Sequence, residues 1–415
     1  MTTRLRLPTL AVALWALACA QDPTAPRRIT ALPRALTGQE QRLIEADNRF
    51  AIKLLRQAAA QTGDSLPNLF VSPLSVAMAL GMTYNGAAGT TEAAMRATLE
   101  LEGMSVAEVN EAYRSLIRLL RDLDPRVRFT IANSIWYRDG LSVEPPFLDA
   151  NRTYFDARVE ALDFASPAAS RTINDWVKQQ TQGLIPKIVE DVLPDHAMMY
   201  LINAIYFKGD WTQQFDSRLT APRPFRLADG STVNVPTMTH GKEAAVRIAR
   251  RPAVTVLDLP YGGGAYSMTV VLPREPAGVD ELVAGLTPDQ WNDWMGGLDS
   301  SASEVYLPKF KLENNLTLVA TLKALGMEVA FDANQADFTR MSRLPGLFIT
   351  DVKHRTYVDV NEKGTEAAAV TAVEIGITSA PEPVVVDRPF VFALRENLSG
   401  TILFIGVIRN PAPSR

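Results

Sequence analysis

The chain is poor in the residues that most enzymes use for chemistry. Among 415 residues it has one cysteine, Cys19, and three histidines, His196, His240 and His354. A single cysteine excludes an internal disulfide, so stability has to come from packing. No Gly-x-Ser-x-Gly elbow, His-Glu-x-x-His helix or Gly-rich phosphate loop occurs, and no metal site, cofactor or enzymatic activity is expected. Beyond the N-terminus no apolar run is long enough to cross a bilayer. A net charge of -4 lacks the basic excess that a nucleic-acid partner requires. What remains is an ordinary globular composition, 47% hydrophobic and 21% charged, sufficient for a large core.

The first residues have the form of an export signal. Arg4 and Arg6 precede a short apolar run from Leu10 to Ala18, followed by Cys19. Ala16-Leu-Ala-Cys19 resembles a bacterial lipobox, with Ala16 where Leu is usual. Two outcomes follow: lipidation of Cys19 and a membrane-anchored lipoprotein facing the periplasm or exterior, or an ordinary cut after Ala18 and secretion. Residues 1–18 are accordingly read as a signal peptide and 19–36 as a tether. Pro23, Pro26 and Pro33 point to poor order there. A single domain is expected over 37–415.

Apolar residues at Leu43, Ala46, Phe50, Leu54 and Ala58 keep helical spacing, which predicts a helix from Gln39 to about Gln61. Val71-Ser-Pro-Leu-Ser75 reads as a capped helix start, with further helices around Val106–Leu123 and Ser170–Gln180. Helices are expected to dominate the first half. In the second half, Ala253–Pro260 with Tyr266–Pro273 and Phe390–Arg395 with Thr401–Ile408 read as hairpins. Helices are predicted between strands at Thr287–Met295 and Leu316–Leu325. One mixed α+β domain explains this pattern better than two.

Residues 362–377 fit no neighbour. Counted alternately from Thr365, one face carries Thr365, Ala367, Ala369, Thr371, Val373 and Ile375, and the other Glu366 and Glu374. The run follows a good alternating strand, Thr356–Asn361, yet ends in Pro381 and Pro383, which suit an exposed loop. Ala and Glu also favour a helix, and local propensity alone leaves strand and helix open.

Glu362-Lys-Gly-Thr-Glu-Ala-Ala-Ala369 resembles the reactive-loop hinge of the serpins, the serine-protease-inhibitor family. Other stretches resemble the same family, in its order: Asn68-Leu-Phe-Val-Ser-Pro-Leu-Ser75, Ile173-Asn-Asp-Trp-Val177, Thr181-Gln-Gly183, Leu201–Trp211, Val305-Tyr-Leu-Pro-Lys-Phe310 and Asp387-Arg-Pro-Phe-Val-Phe392. The resemblance implies three β-sheets surrounded by eight or nine helices, with an exposed reactive-centre loop over about 362–386. It implies a suicide inhibitor of serine proteases that forms a covalent acyl complex at the Thr378-Ser379 bond, or one residue earlier at Ile377. Small and branched side chains there point to elastase-like or subtilisin-like targets, with cysteine proteases as a second class. By the same resemblance the hinge is Glu362, Lys363, Gly364, Thr365, Glu366, Ala367, Ala368, Ala369 and Val370. Ser72, Ser75, Asn203 and His354 form a polar shutter beneath the main sheet, and Trp211 is the breach tryptophan, where insertion begins. The slot for the loop is expected to be empty before cleavage, and the protein a monomer. The competing reading is a non-inhibitory binding or structural lipoprotein on the same scaffold. Arg114, Arg118 and Arg121 share a helix face with Arg126 and Arg128 beyond, but Glu111, Asp122 and Asp124 are interleaved. That favours a solvated face over a polyanion site.

Overall fold

The structure, a computed structural model, describes residues 28–63, 66–365 and 382–412. Its centre is a six-stranded sheet, whose strands are numbered along the chain: β1 Val127–Arg138, β2 Arg158–Leu162, β3 Met199–Asp210, β4 Phe310–Thr317, β5 Lys353–Val360 and β6 Gly364–Thr365. The spatial order is β4-β5-β6-β3-β1-β2. β1 and β3 are antiparallel from Val127 opposite Gly209 to Tyr137 opposite Met199. β4 and β5 are antiparallel from Phe310 opposite Val360 to Thr317 opposite Lys353. A seven-stranded and a four-stranded sheet complete the β-structure, and nine α-helices occur among the described residues.

Helix α1 (Gly38–Thr62) opens with a capping box between Thr37 and Glu40, which satisfies two orphan N–H donors. Helix α2 (Pro73–Tyr84) starts at Ser72, whose side chain accepts from the Ser75 N–H, with proline in its first turn. Eleven of its residues are buried, so it is a core helix, packed between β3 and the Ile402–Ile408 strand. Helix α3 (Val106–Arg121) is strongly amphipathic, and α4 (Pro167–Gln180) covers the outer face of the main sheet. Apolar residues accordingly divide into a large core behind the sheet and a smaller one under α4, built around Trp136, Ile173, Trp176, Ile188 and Ile202.

Three expectations are amended. Helices do dominate the first half, but it also holds two unexpected strands of 12 residues each, β1 and β3, which pair along their length in the main sheet. The alternation Val127, Phe129, Ile131 carried that signal. The helix expected over Leu316–Leu325 begins only at Val319, because Leu312, Asn314 and Leu316 alternate in the β4 pairing as far as Thr317. It gives way to a π-turn at Lys323–Met327, where Gly326 sits at φ 108°. Finally, the last part of the expected tether is docked: the Ile29 N–H donates to Gly263 O at 2.9 Å, and Arg34 donates to Glu40 and Ser115. The rest of the tether, with Cys19 and the leader, lies outside the described residues. Two of the arginines of α3 are engaged locally, Arg114 with Glu111 and Tyr154 and Arg121 with Asp156.

Candidate functional site: the upper end and slot of the main sheet

β5 ends at Val360, and the chain reverses through a tight turn in which Asn361 and Gly364 exchange backbone hydrogen bonds of 3.0 and 3.2 Å. Gly364 and Thr365 then enter the sheet, opposite Asp210 and Gly209 of β3, with Thr365 opposite Val360 of β5. Only glycine fits at 364: an added Cβ would stand 2.1 Å from Gly209 O. Thr365 is 4% exposed, and its hydroxyl shares a 2.8 Å hydrogen bond with Tyr261. The slot is therefore not empty in the uncut chain. Its first two positions are already occupied, because a small residue and a hydroxyl with a buried partner suit the space between the strands.

A clasp holds this turn. The Trp211 N–H donates to Lys363 O, the Phe215 N–H to Glu362 O, and the Trp211 indole N–H to Asn361 O, each at 2.9 Å. The Trp211 ring stacks on Tyr261 at 4.3 Å, with Phe215 edge-on at 5.9 Å. The Glu362 carboxylate accepts from Lys309 Nζ at 2.8 and 3.0 Å and from Thr220 at 2.8 Å. Burial pushes the Glu362 carboxyl up, but the hydrogen bonds from Lys309 and Thr220 outweigh it and hold the group below its usual range. A double-mutant cycle on Glu362 and Lys309 is expected to give a coupling of about 1 kcal/mol in unfolding free energy, the upper end for partly exposed pairs. A coupling near zero would remove this pair from the clasp.

Below Thr365 no pairing joins β3 directly to β5 among the described residues. A cavity of about 1000 Å³ reaches Tyr206 and Phe207 of β3, His354 to Val358 of β5, and residues of α2. Its floor is a polar cluster. The Ser72 N–H donates to His354 Nε2 at 2.9 Å, and the Ser72 hydroxyl to Leu403 O at 2.8 Å. The Ser75 hydroxyl donates to Asn203 O at 3.3 Å, and the Asn203 amide to Asn133 Oδ1 at 2.7 Å. Asn203 Oδ1 is buried without a partner among the described residues.

Burial alone pushes the His354 imidazole down to about 4. It is neutral in the fold, as the bond from Ser72 requires, while an unfolded histidine titrates near 6.5. Stability is thus intact above about pH 6.5 and is lost as the pH falls toward 4, by on the order of 3 kcal/mol from this residue. Unfolding free energies measured from pH 7 to 4 are expected to show that loss, and to show it reduced in His354→Gln. An unchanged slope in the variant would sink the assignment.

Ser72, Ser75, Asn203 and His354 are therefore together, Trp211 stands at the upper end of the slot, and Glu362 to Thr365 form the turn and first strand pair. Glu366, Ala367, Ala368, Ala369, Val370, Thr378 and Ser379 lie outside the described residues. Sequence reasoning missed Tyr261, Phe215, Lys309, Thr220 and Asn133. Lys309 lay inside a quoted stretch, Val305–Phe310, without a role, because a lone lysine carries no sign of its partner. Tyr261 looked like the edge of a hairpin turn.

A family model described as Serpin (serine protease inhibitor) matches residues 45–411. The chain belongs to the serpin family. As a serpin it is of the protease-inhibitor class and not an enzyme. It is 34% identical over 382 residues to leukocyte elastase inhibitor of Sus scrofa, covering 89% of this chain and 100% of that one. It is also 34% identical over 377 residues to Iripin-2 of Ixodes ricinus, covering 89% and 94%. Among solved structures, native tengpin, a thermophilic serpin, superimposes with a TM-score of 0.80 at 30% identity, over 92% of this chain and 96% of that one. Human thyroxine-binding globulin complexed with its hormone also reaches 0.80, at 28% identity over 91% and 100%.

Proposed function

We propose that this serpin is a suicide inhibitor of elastase-like or subtilisin-like serine proteases. The observation that carries the reading is the two-residue strand Gly364–Thr365, held between β5 and β3 at the head of a slot that those strands do not close by pairing with each other. The protease serine attacks the carbonyl carbon of Thr378; the bond to Ser379 breaks, the Ser379 nitrogen takes a proton, and an ester joins protease to Thr378. The freed strand then enters the slot behind Thr365. Loop insertion by serpins is an established case of strand addition and strain release. About ten residues joining two ladders, at about 1 kcal/mol net per hydrogen bond, release on the order of 10 kcal/mol.

Continuing the register of Thr365 supports the reading chemically. The inserted strand sets Ala367 beside Phe207 and Val358, Ala369 beside Ile205 and Thr356, and Thr371 beside Asn203 and His354. Small side chains meet Phe207, Val358 and Ile205, and a hydroxyl arrives beside Asn203, whose side-chain Oδ1 lacks a partner among the described residues. The other reading, a non-inhibitory binding protein, draws on the hormone carrier among the structural relatives. The hinge carries no proline and no inward charge to block entry, which favours inhibition. Incubation with pancreatic elastase, subtilisin, trypsin and papain separates the two: complexes that survive denaturing electrophoresis support inhibition, and their absence from every reaction supports the carrier. Sequencing the released C-terminal fragment distinguishes Ser379 from Thr378 as its first residue.

We read the protein as exported and monomeric, with Cys19 either lipidated or left behind an ordinary signal-peptidase cut. The charged-then-apolar leader ahead of Cys19 supports export. Mass spectrometry of the mature N-terminus distinguishes the two processing routes.

A further inference from the structure

His240 follows the Thr232–Thr239 strand and is 7% exposed. It supports the clasp from behind at two points. Its ring stacks on Phe215 at 4.1 Å, and its Nε2 lies 3.1 Å from Gln213 O, the carbonyl midway between the two clasp donors Trp211 and Phe215. Since a carbonyl only accepts, Nε2 carries the proton and Nδ1 is the bare nitrogen. Nδ1 is buried with no partner. A second proton would therefore place a charged N–H where nothing accepts it, a state that burial strongly disfavours.

We infer that His240 is an acid-sensitive support of the clasp: its protonation frees the Trp211–Phe215 segment from Asn361, Glu362 and Lys363 and loosens the upper end of the main sheet. The charged groups around it do not offset this. Glu304 favours the cation, but its carboxylate is already engaged by Thr239 at 3.1 Å and Tyr306 at 2.7 Å. Lys242 on the following turn opposes the cation, and Asp216, on the segment that carries Phe215, is paired with Arg218. Burial holds the imidazole at about 4 against the hydrogen bond to Gln213 and the attraction of Glu304. The sign follows: a released His240 titrates near 6.5, so acid favours the released state between about pH 6.5 and 4.

Opening of the clasp is expected to become about twentyfold more favourable from pH 7 to pH 5, by that linkage. The readout is hydrogen-exchange protection of the Trp211 and Phe215 amides in the intact, uncleaved chain, corrected for the intrinsic pH dependence of exchange. Wild type should lose about twentyfold protection at these amides, His240→Gln less than threefold, and His354→Gln as much as wild type. A wild-type loss under threefold, or a full loss in His240→Gln, overturns the inference. If His240→Gln does not fold, the imidazole signals of the wild type decide. His240 titrating near 4 while protection falls between about pH 6.5 and 4 supports the inference, and His240 titrating near 6.5 overturns it. The clasp opening stands apart from the inhibitor reading; only its consequence, an acid-dependent loss of hinge control, rests on that reading. A chain that traps no protease yet loses protection in acid keeps the inference and sinks inhibition.

Discussion

Thr365→Arg is expected to turn the proposed inhibitor into a substrate. The protease should still cut the reactive loop, while the yield of denaturation-resistant complex falls at least tenfold. The cause is local. Thr365 is 4% exposed between β3 and β5, and its hydroxyl is bonded to a phenol that is itself fully buried. A guanidinium at that point would be buried without a carboxylate, a cost of several kcal/mol. It can leave the sheet and reach solvent, but then the strand has lost its first pair with Gly209 and Val360. Insertion would have to begin by returning the charge to the same place. Acylation does not involve this residue, so cleavage survives while capture slows, and hydrolysis of the acyl link wins. Complex yield against an elastase, measured by densitometry beside the cleaved fragment, checks this. A variant that traps at full yield would refute insertion through this point.

Trp211→Ala should cost about 3 to 5 kcal/mol in unfolding free energy, the range for truncating a buried aromatic residue. Trp211 is 2% exposed, and it supplies both the ring stacked on Tyr261 and the indole donor to Asn361 O. Removing it takes one of three clasp hydrogen bonds and leaves the Tyr261 ring facing a cavity, beside the hydroxyl partner of Thr365. The loss is therefore expected to reach the hinge as well as the core. Intact protein held at moderate temperature should lose its capacity to trap protease faster than wild type, while Trp211→Phe, which removes the donor but keeps most of the stack, should fall between them. Denaturant unfolding measures the first effect and timed incubation the second. A cost below 1 kcal/mol would show that the turn is held by other contacts.

How far these sites could be read before folding depends on the kind of signal. Thr365, Ser72 and Trp211 were found because each lies in a stretch that resembles a known order of motifs. His240 and Lys309 were not, since their importance lies in what surrounds them: the stacked Phe215 ring for one and the Glu362 carboxylate for the other. The β1 strand was legible in principle from its alternating apolar residues, but that alternation weakens at Asn133 and Ser134, which are buried polar residues of the interior. Periodicity reports a face and not its partner, and a buried asparagine reads like a surface one until its neighbour Asn203 is in place.

By itself the sequence determined the class of protein, the exclusion of disulfide support and of the familiar hydrolase and phosphate-binding motifs, the helix start at Ser72, and the small residues that can slide between strands. Those properties are local, set by composition, caps and period. Tertiary structure alone decided that Gly364 and Thr365 already stand inside the sheet, and that Lys309, Thr220, Trp211 and Phe215 converge on the turn before them. It also decided that a histidine 25 residues beyond Phe215 supports the clasp from behind. These depend on contacts between distant segments, where a burial, an acceptor or a missing acceptor changes what the same side chain does.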